Sequence, residues 1–311
     1  MKKNLKKLAV AAVVATSIPS YSFACACGHS LMDIGTSSLI PSSQGGLLFA
    51  EYNSILQNKN LHKTKSADAS DNHLQKIDTQ IVTVGGQYMF NRKWGVMARV
   101  PYVTRSVTMQ HHDEDMMDEA MTTKTKHGAL GDVKLSAIYS GLFDDMSTGF
   151  TFGIKLPTGA TKQSGFDSDT QIGSGSTDVI LGAYHLGKFT QNLGWFSQIN
   201  WQEPIITKRD YTPGSEFSGA IGSYYNFGNV GIFSKVSPIL QIIASKKTRD
   251  SGANADAQNS GYSRAFFAPA IEVNFTKFKI YADYEIPIHE NVNGYQLSVG
   301  KVIKVILGYK F

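Results

Sequence analysis

The sequence has no uninterrupted apolar run approaching the roughly 20 residues that a membrane-crossing helix requires, so it offers no transmembrane helix. Charge is also scarce. Asp, Glu, Lys and Arg together make up 18% of the 311 residues, where a soluble domain carries about a quarter. The only two cysteines, Cys25 and Cys27, flank a single alanine, which excludes a disulfide framework for the body of the chain. A basic surplus is missing too. Four lysines (Lys2, Lys3, Lys6 and Lys7) crowd the first seven residues with no acid among them. Their removal lowers the net charge from +5 by four, to +1. Nothing in that balance points to nucleic acid.

Those lysines precede a short apolar core, Leu8 to Ile18, and then the small residues Ser22-Phe23-Ala24 and Ala24-Cys25-Ala26. The pattern reads as a secretory signal peptide over residues 1–24, with cleavage after 24 or after 26. A new N-terminus at Cys25 also raises the question of lipidation. Residues 25–46 form a glycine- and serine-rich lead, either a plug or a periplasmic tail. Residues 47–311 make up the rest of the chain as a single domain.

At the other end, Ile303, Val305, Leu307, Tyr309 and Phe311 alternate with Lys304 and Lys310 in opposite phase. This is a period-2 strand. An amphipathic strand closing on Phe resembles the last strand of bacterial outer-membrane β-barrels, and the resemblance implies recognition by the barrel-assembly machinery.

Between the ends, alternating segments repeat. Strands are expected near 47–56, 77–90, 95–108, 131–140, 148–156, 177–187, 195–206, 217–227, 230–244, 265–275, 279–288 and 295–311. Tight turns at 91–93, 143–145, 226–229 and 276–277 alternate with long polar loops at 57–76, 109–130, 160–176 and 245–264. Sorting connections by length in this way is how an outer-membrane barrel is built, with short periplasmic turns and long external loops. A soluble sandwich has no reason to do it. The expectation is an all-β, single transmembrane antiparallel barrel of about twelve strands, in the bacterial outer membrane. Tyr88, Trp94, Trp195, Tyr225 and Tyr309 fall near strand ends, as aromatic girdles would.

Two strands open alike, Gly131-Asp132-Val133-Lys134-Leu135 and Thr177-Asp178-Val179-Ile180-Leu181. The second is preceded by Lys155-Leu156-Pro157-Thr158-Gly159 and Gly173-Ser174-Gly175-Ser176. This arrangement, over about the central third of the chain, resembles the outer-membrane transporter family named for the meta-pathway of phenol degradation. The resemblance implies a barrel with a transport role and supplies no catalytic residues. The family name reflects gene context and does not make phenol the substrate.

The inward phase carries Glu51, Arg99, Arg105, Lys134, Lys155, Asp283, Glu285 and Lys304, charges of both signs that can pair across a lumen or line a path. The expected function is passage of a small solute or ion through that charged lumen, with no cofactor required and outer-membrane lipid around the wall. A rival from another class starts from the segment Met109–His127, which holds three histidines, four methionines and five carboxylates. His111, His112, His127, Met116 and Met117 could take copper or zinc there, and so could Cys25, Cys27 and His29 on the inner side. In that reading the barrel is a metal-binding scaffold. The fixed ligand spacing of a built metal site is absent. Hydrolase readings centred on His185, or on Asp283, Glu285 and His289, lack a phased partner set. The chain is therefore read as a non-enzyme.

Overall fold

The computed structural model describes residues 37–111 and 121–311. Thirteen extended elements appear among them: β1 (Gly45–Lys63), β2 (Lys65–Ser66), β3 (Leu74–Met89), β4 (Trp94–His111), β5 (Met121–Leu130), β6 (Val133–Tyr139), β7 (Thr148–Leu156), β8 (Thr177–Lys188), β9 (Leu193–Ile206), β10 (Glu216–Tyr225), β11 (Lys235–Lys247), β12 (Tyr262–Phe275) and β13 (Phe278–Lys310). Helix is confined to single 3-10 turns at Ser37–Leu39 and Ala69–Asp71. No described helix is long and apolar enough to cross a membrane. Every strand pair is antiparallel, and β13 returns to pair with β1, so the sheet closes on itself.

The wall holds eleven of these elements, with β2 and β5 outside that path. Element β13 passes through the wall twice. Its residues 278–292 pair with β12, and its residues 292–310 pair with β1. The reversal falls at Gly294, whose φ of +58° suits glycine. Elements β5 and β6 both lie along β4, separated by Gly131-Asp132, so they act as one strand with a break. The wall is thus crossed by twelve strands.

The side-chain phases decide between a membrane barrel and a soluble sandwich. Outward residues are apolar and exposed: Leu48, Val84, Val100, Phe152, Ile199 and Leu240 each expose between 41% and 61% of their surface. Inward neighbours such as Glu51, Asn53, Thr83, Gln87, Gln241 and Lys304 are buried. A soluble sheet would put the apolar phase inside. Here it faces out, which is the arrangement that lipid requires. Ring closure leaves no sheet edge, which a bilayer could not satisfy.

One end of the barrel carries the connections 90–93, 140–147, 189–192, 226–234 and 276–277, most of them short; the other carries 64–73, 157–176, 207–215 and 248–261. Aromatic side chains crowd the tight-turn end. Tyr88 lies 6.3 Å from Phe311, Tyr309 6.5 Å from Phe311, and Phe278 5.2 Å from Tyr309 by ring centroids, while Trp94 meets Tyr139 at 4.8 Å. That is a girdle built from the residues the sequence marked, extended by Phe278 and Phe311.

Several segments differ from expectation. The loop expected at 57–76 is strand at both ends, with β1 running on to Lys63 and β3 starting at Leu74. The loop expected at 109–130 is mostly strand: β4 runs on to His111, and Met121–Leu130 pairs with it. Thr122, Thr123 and Thr125 favour strand, but the charges among them hid the pattern. The turn after β10 extends to Ser234, because Gly228 and Gly231 take positive φ, and β11 starts at Lys235 rather than Val230. The first strand begins at Gly45, two residues inside the expected lead. Residues 1–36, including the expected signal peptide, Cys25, Cys27 and His29, lie outside the described residues.

Candidate permeation pathway

Two segments enter the barrel. From the tight-turn end, Ser38, Leu39 and Ile40 are buried, and the Ser38 carbonyl accepts a hydrogen bond from Lys279 Nζ. Of the lead, only 37–46 is described, and its buried part sits inside the ring. Leu39 and Ile40 join an apolar cluster with Phe49, Phe196, Phe266 and Ile306. All four belong to the inward phase, so part of the lumen is filled by hydrocarbon.

From the opposite end, the connection 157–176 between β7 and β8 folds inward, burying Phe166, Thr170, Gln171, Ile172 and Ser176. Arg105 of β4 holds its tip. The guanidinium donates from Nη1 to the carbonyls of Thr170 (2.7 Å) and Gln171 (3.0 Å), and from Nε to Thr79 Oγ1 (3.1 Å). The Gln171 side chain fastens the loop to itself, donating to the Phe166 and Gln163 carbonyls while accepting from Gln163 N–H.

The base of this loop is where the repeated motifs meet. Asp132 accepts hydrogen bonds from Gly159 N (2.9 Å), Ser174 N (2.8 Å) and Ser174 Oγ (2.6 Å). Lys155 Nζ lies 2.5 Å from Asp178 and 4.0 Å from Asp132. Ser176 Oγ donates to Asp178 (2.6 Å), as does Gln202 Nε2 (2.5 Å). Gly159 and Gly173 touch backbone to backbone: a Cβ added to Gly173 would stand 2.4 Å from the Gly159 carbonyl carbon. The motif glycines allow the two loop ends to cross, and the motif aspartates bolt them to the wall.

The lumen charges are also paired. Arg99 Nη2 meets Glu51 at 2.8 Å and Lys304 meets Glu285 at 3.5 Å, all four side chains nearly buried. Asp283 accepts from Tyr281 Oη at 2.7 Å. Higher up, Arg264 Nε lies 3.1 Å from Glu290 and its guanidinium stacks 3.9 Å over Tyr262. Lys247 meets Asp250 at 2.6 Å, and Asp250 accepts from Tyr211 Oη at 2.9 Å. Burial and the Asp250 carboxylate hold the Tyr211 phenol protonated, well above its ordinary range. Burial, reinforced by Asp167 and Asp250 and partly offset by Lys247, raises the Asp169 carboxyl to about 7.

Between these features lies a cavity of about 110 Å³, lined by Arg99, Lys134, Lys155, Asp132, Asp169 and Lys247 among others. Glu51, Arg99, Arg105, Lys134, Lys155, Asp283, Glu285 and Lys304 all turn to the interior. Arg105 serves the loop, and Arg99, Lys134 and Lys155 line the cavity. The residues that sequence reasoning missed are those whose role depends on loop path: Asp132, Asp178, Asp169, Leu39 and Ile40.

Of the metal-ligand candidates, His111 and His127 fall among the described residues. His111 and His127 are not cross-strand neighbours: the first pairs with Met121 and the second with Arg105. His127 Nε2 sits 2.9 Å from the Ser164 carbonyl with its ring against Phe166. His112, Met116 and Met117 lie outside the described residues, and nothing is described of the His111 side chain. Among the described residues no group of three or more His, Cys, Asp or Glu side chains could hold a metal ion. His185 meets Thr148 Oγ1 at 2.6 Å and packs on Trp195. His289 is exposed, and Glu285 is turned to Lys304.

Fold and interior together define a closed outer-membrane-type barrel constricted from both ends. An outer membrane channel from Pseudomonas putida F1 has a similar structure, with a TM-score of 0.62 over 89% of this chain and 100% of that one, at 11% identity. The toluene transporter TodX of Pseudomonas putida scores 0.44 at 9% identity, covering 93% of this chain and 95% of that one. A FadL homologue of Pseudomonas aeruginosa scores 0.42 at 11% identity, covering 86% and 90%. No protein-family model matches the chain, and no curated protein matches its sequence. The likeness to the first of these channels establishes a shared fold, and the transporter family suggested by the motifs is not confirmed by it.

Proposed function

We propose that the protein is a bacterial outer-membrane channel that passes a small solute or ion through its charged lumen. One observation carries the reading: an apolar outer wall encloses an interior where charged side chains line a cavity, beside the two segments that enter the ring. A purely structural barrel could fill its interior with side chains throughout, as small eight-stranded barrels do. Arg99, Lys134 and Lys155, with Glu51, Asp283 and Glu285 behind them, give the route its field. The loop 157–176 and the lead around Leu39 restrict what passes. The apolar outer face suits outer-membrane lipid, and the final strand suits the barrel-assembly machinery. The motif resemblance to a transporter family agrees with this reading, as does the fold shared with an outer membrane channel.

The test is ion conductance of the refolded protein in a planar bilayer. Steady conductance is expected. Its absence at every voltage, from protein shown to be folded and inserted, would refute the channel.

A further inference from the structure

We infer that the route through the lumen selects small anions; this rests on the channel reading and names its class of solute. Three cavities follow one another along the barrel axis. The outer one, described above, shares Arg99 and Lys134 with a middle cavity of about 110 Å³. The middle one shares Ile40 of the lead with an inner cavity of about 200 Å³. Arg99 and Lys134 thus form the waist between the first two, and Ile40 stands between the last two.

Charge along this series is uneven. The outer cavity mixes Arg99, Lys134, Lys155 and Lys247 with Asp132, Asp169 and Glu216. Arg99 and Lys134 are the charged side chains of the middle cavity, and no carboxylate lines it among the described residues. The inner cavity presents Lys235, Lys279 and Lys310 against Glu272 alone. The nearby carboxylates Glu51, Asp283 and Glu285 line none of the three spaces; Glu51 faces Arg99, and Glu285 faces Lys304.

Cross-strand register explains the waist. Arg99 pairs with Lys134 and Lys134 with Lys155, which sets three cations side by side on one inward row. Like charges directly opposite are destabilising, so a fold that keeps them needs compensation. Glu51 supplies it at one end of the row, and Asp178 at the other. Lys134, at the centre, is the member that lines both cavities beside Arg99. A small anion moving inward would therefore pass from a mixed vestibule to a cationic waist, and then to a cationic inner mouth. A cation would meet the same field as a barrier, and walls of low dielectric concentrate it.

The test measures reversal potential for the refolded protein under a tenfold KCl gradient across a planar bilayer. Chloride preference over potassium on the order of fivefold or more is expected, the discrimination that a lumen potential near one kT provides. Lys134→Glu should abolish or invert that preference. Lys310→Glu, at an exposed position on the inner mouth, should reduce it and does not disturb the waist. Absence of conductance would overturn the channel reading itself. Conductance without selectivity, or with cation preference, would leave the channel standing and overturn the anion assignment. Undiminished anion preference in both variants would also overturn it, because the field would then arise elsewhere.

Discussion

Replacing Arg105 with methionine keeps most of the buried volume and removes every donor. In the folded barrel Arg105 makes two hydrogen bonds to the carbonyls of Thr170 and Gln171, and these are the contacts that hold the tip of the 157–176 loop inside. Hydrogen bonds involving a charged group contribute about 1.5–3 kcal/mol each, so the variant weakens the inward position by about 3–6 kcal/mol. At about 1.4 kcal/mol per tenfold, the outward population rises by roughly two to four orders of magnitude. The Asp132 clamp at the loop base remains, so the loop swings about its base while the wall stays intact. Two assays report this. Single-channel conductance should increase and lose its closures. Trypsin should cut after the exposed Lys162 faster than in the unmodified protein, while the barrel keeps its folded mobility on gels. Conductance and cleavage both unchanged, in a variant shown to be inserted, would refute the assignment of Arg105 as the loop's anchor.

Other expectations follow from the same interior. The Asp169 carboxyl, raised from 3.8 to about 7, stays protonated with the loop inward across a range where an exposed carboxyl has ionised. The inward state therefore binds the extra proton and is favoured in acid. Its advantage should decline from about pH 4 to about pH 7 and level off above. Open probability should rise over that window, and Asp169→Asn should flatten the profile. Leu39→Asp with Ile40→Asp puts two charges into an apolar cluster and should release the lead, raising conductance from the tight-turn side; unchanged conductance would show that the lead does not obstruct the route. Gly173→Val would drive a side chain into the Gly159 backbone, so the loop base should open and cleavage at Lys162 accelerate, with barrel stability little altered by thermal melting.

The ring itself was legible because a strand in lipid has a two-state code. Val96, Ala98 and Val100 against Arg99, or Ile280, Ala282 and Tyr284 against Lys279 and Asp283, announce their faces by alternation alone, and loop length announces which end is which. The interior was half legible. Charge marks Arg99 or Lys155 as inward, but only the path of the 157–176 loop shows that Arg105 ends on its carbonyls. Backbone acceptors such as those of Thr170 and Gln171 have no sequence signature. The apolar lumen residues Phe49, Phe196 and Phe266 escaped for a related reason. A barrel of this size holds some hydrocarbon inside, and period-2 reasoning expects polar residues there. Residues 109–111 and 121–127 were expected as loop because charges and ligand-type side chains hid the alternation that pairs them as strands.

The seam between β1 and β13 has a consequence for how the protein must be made. Leu47 pairs with Lys310 and Ile55 with Val302, so nearly the whole chain lies between the two partners that close the ring. Contacts of such long sequence separation form slowly, because the entropy of loop closure opposes them until late. The other strands pair with their neighbours in sequence and can assemble as hairpins in order, but each open intermediate exposes two unpaired edges that no bilayer satisfies. Folding therefore ends with a single slow event, the joining of the first strand to the last. A lesion at that seam, such as Gly45→Val, at a φ of +106° and against the Phe311 carbonyl oxygen, would be felt as failed production rather than as a weaker channel.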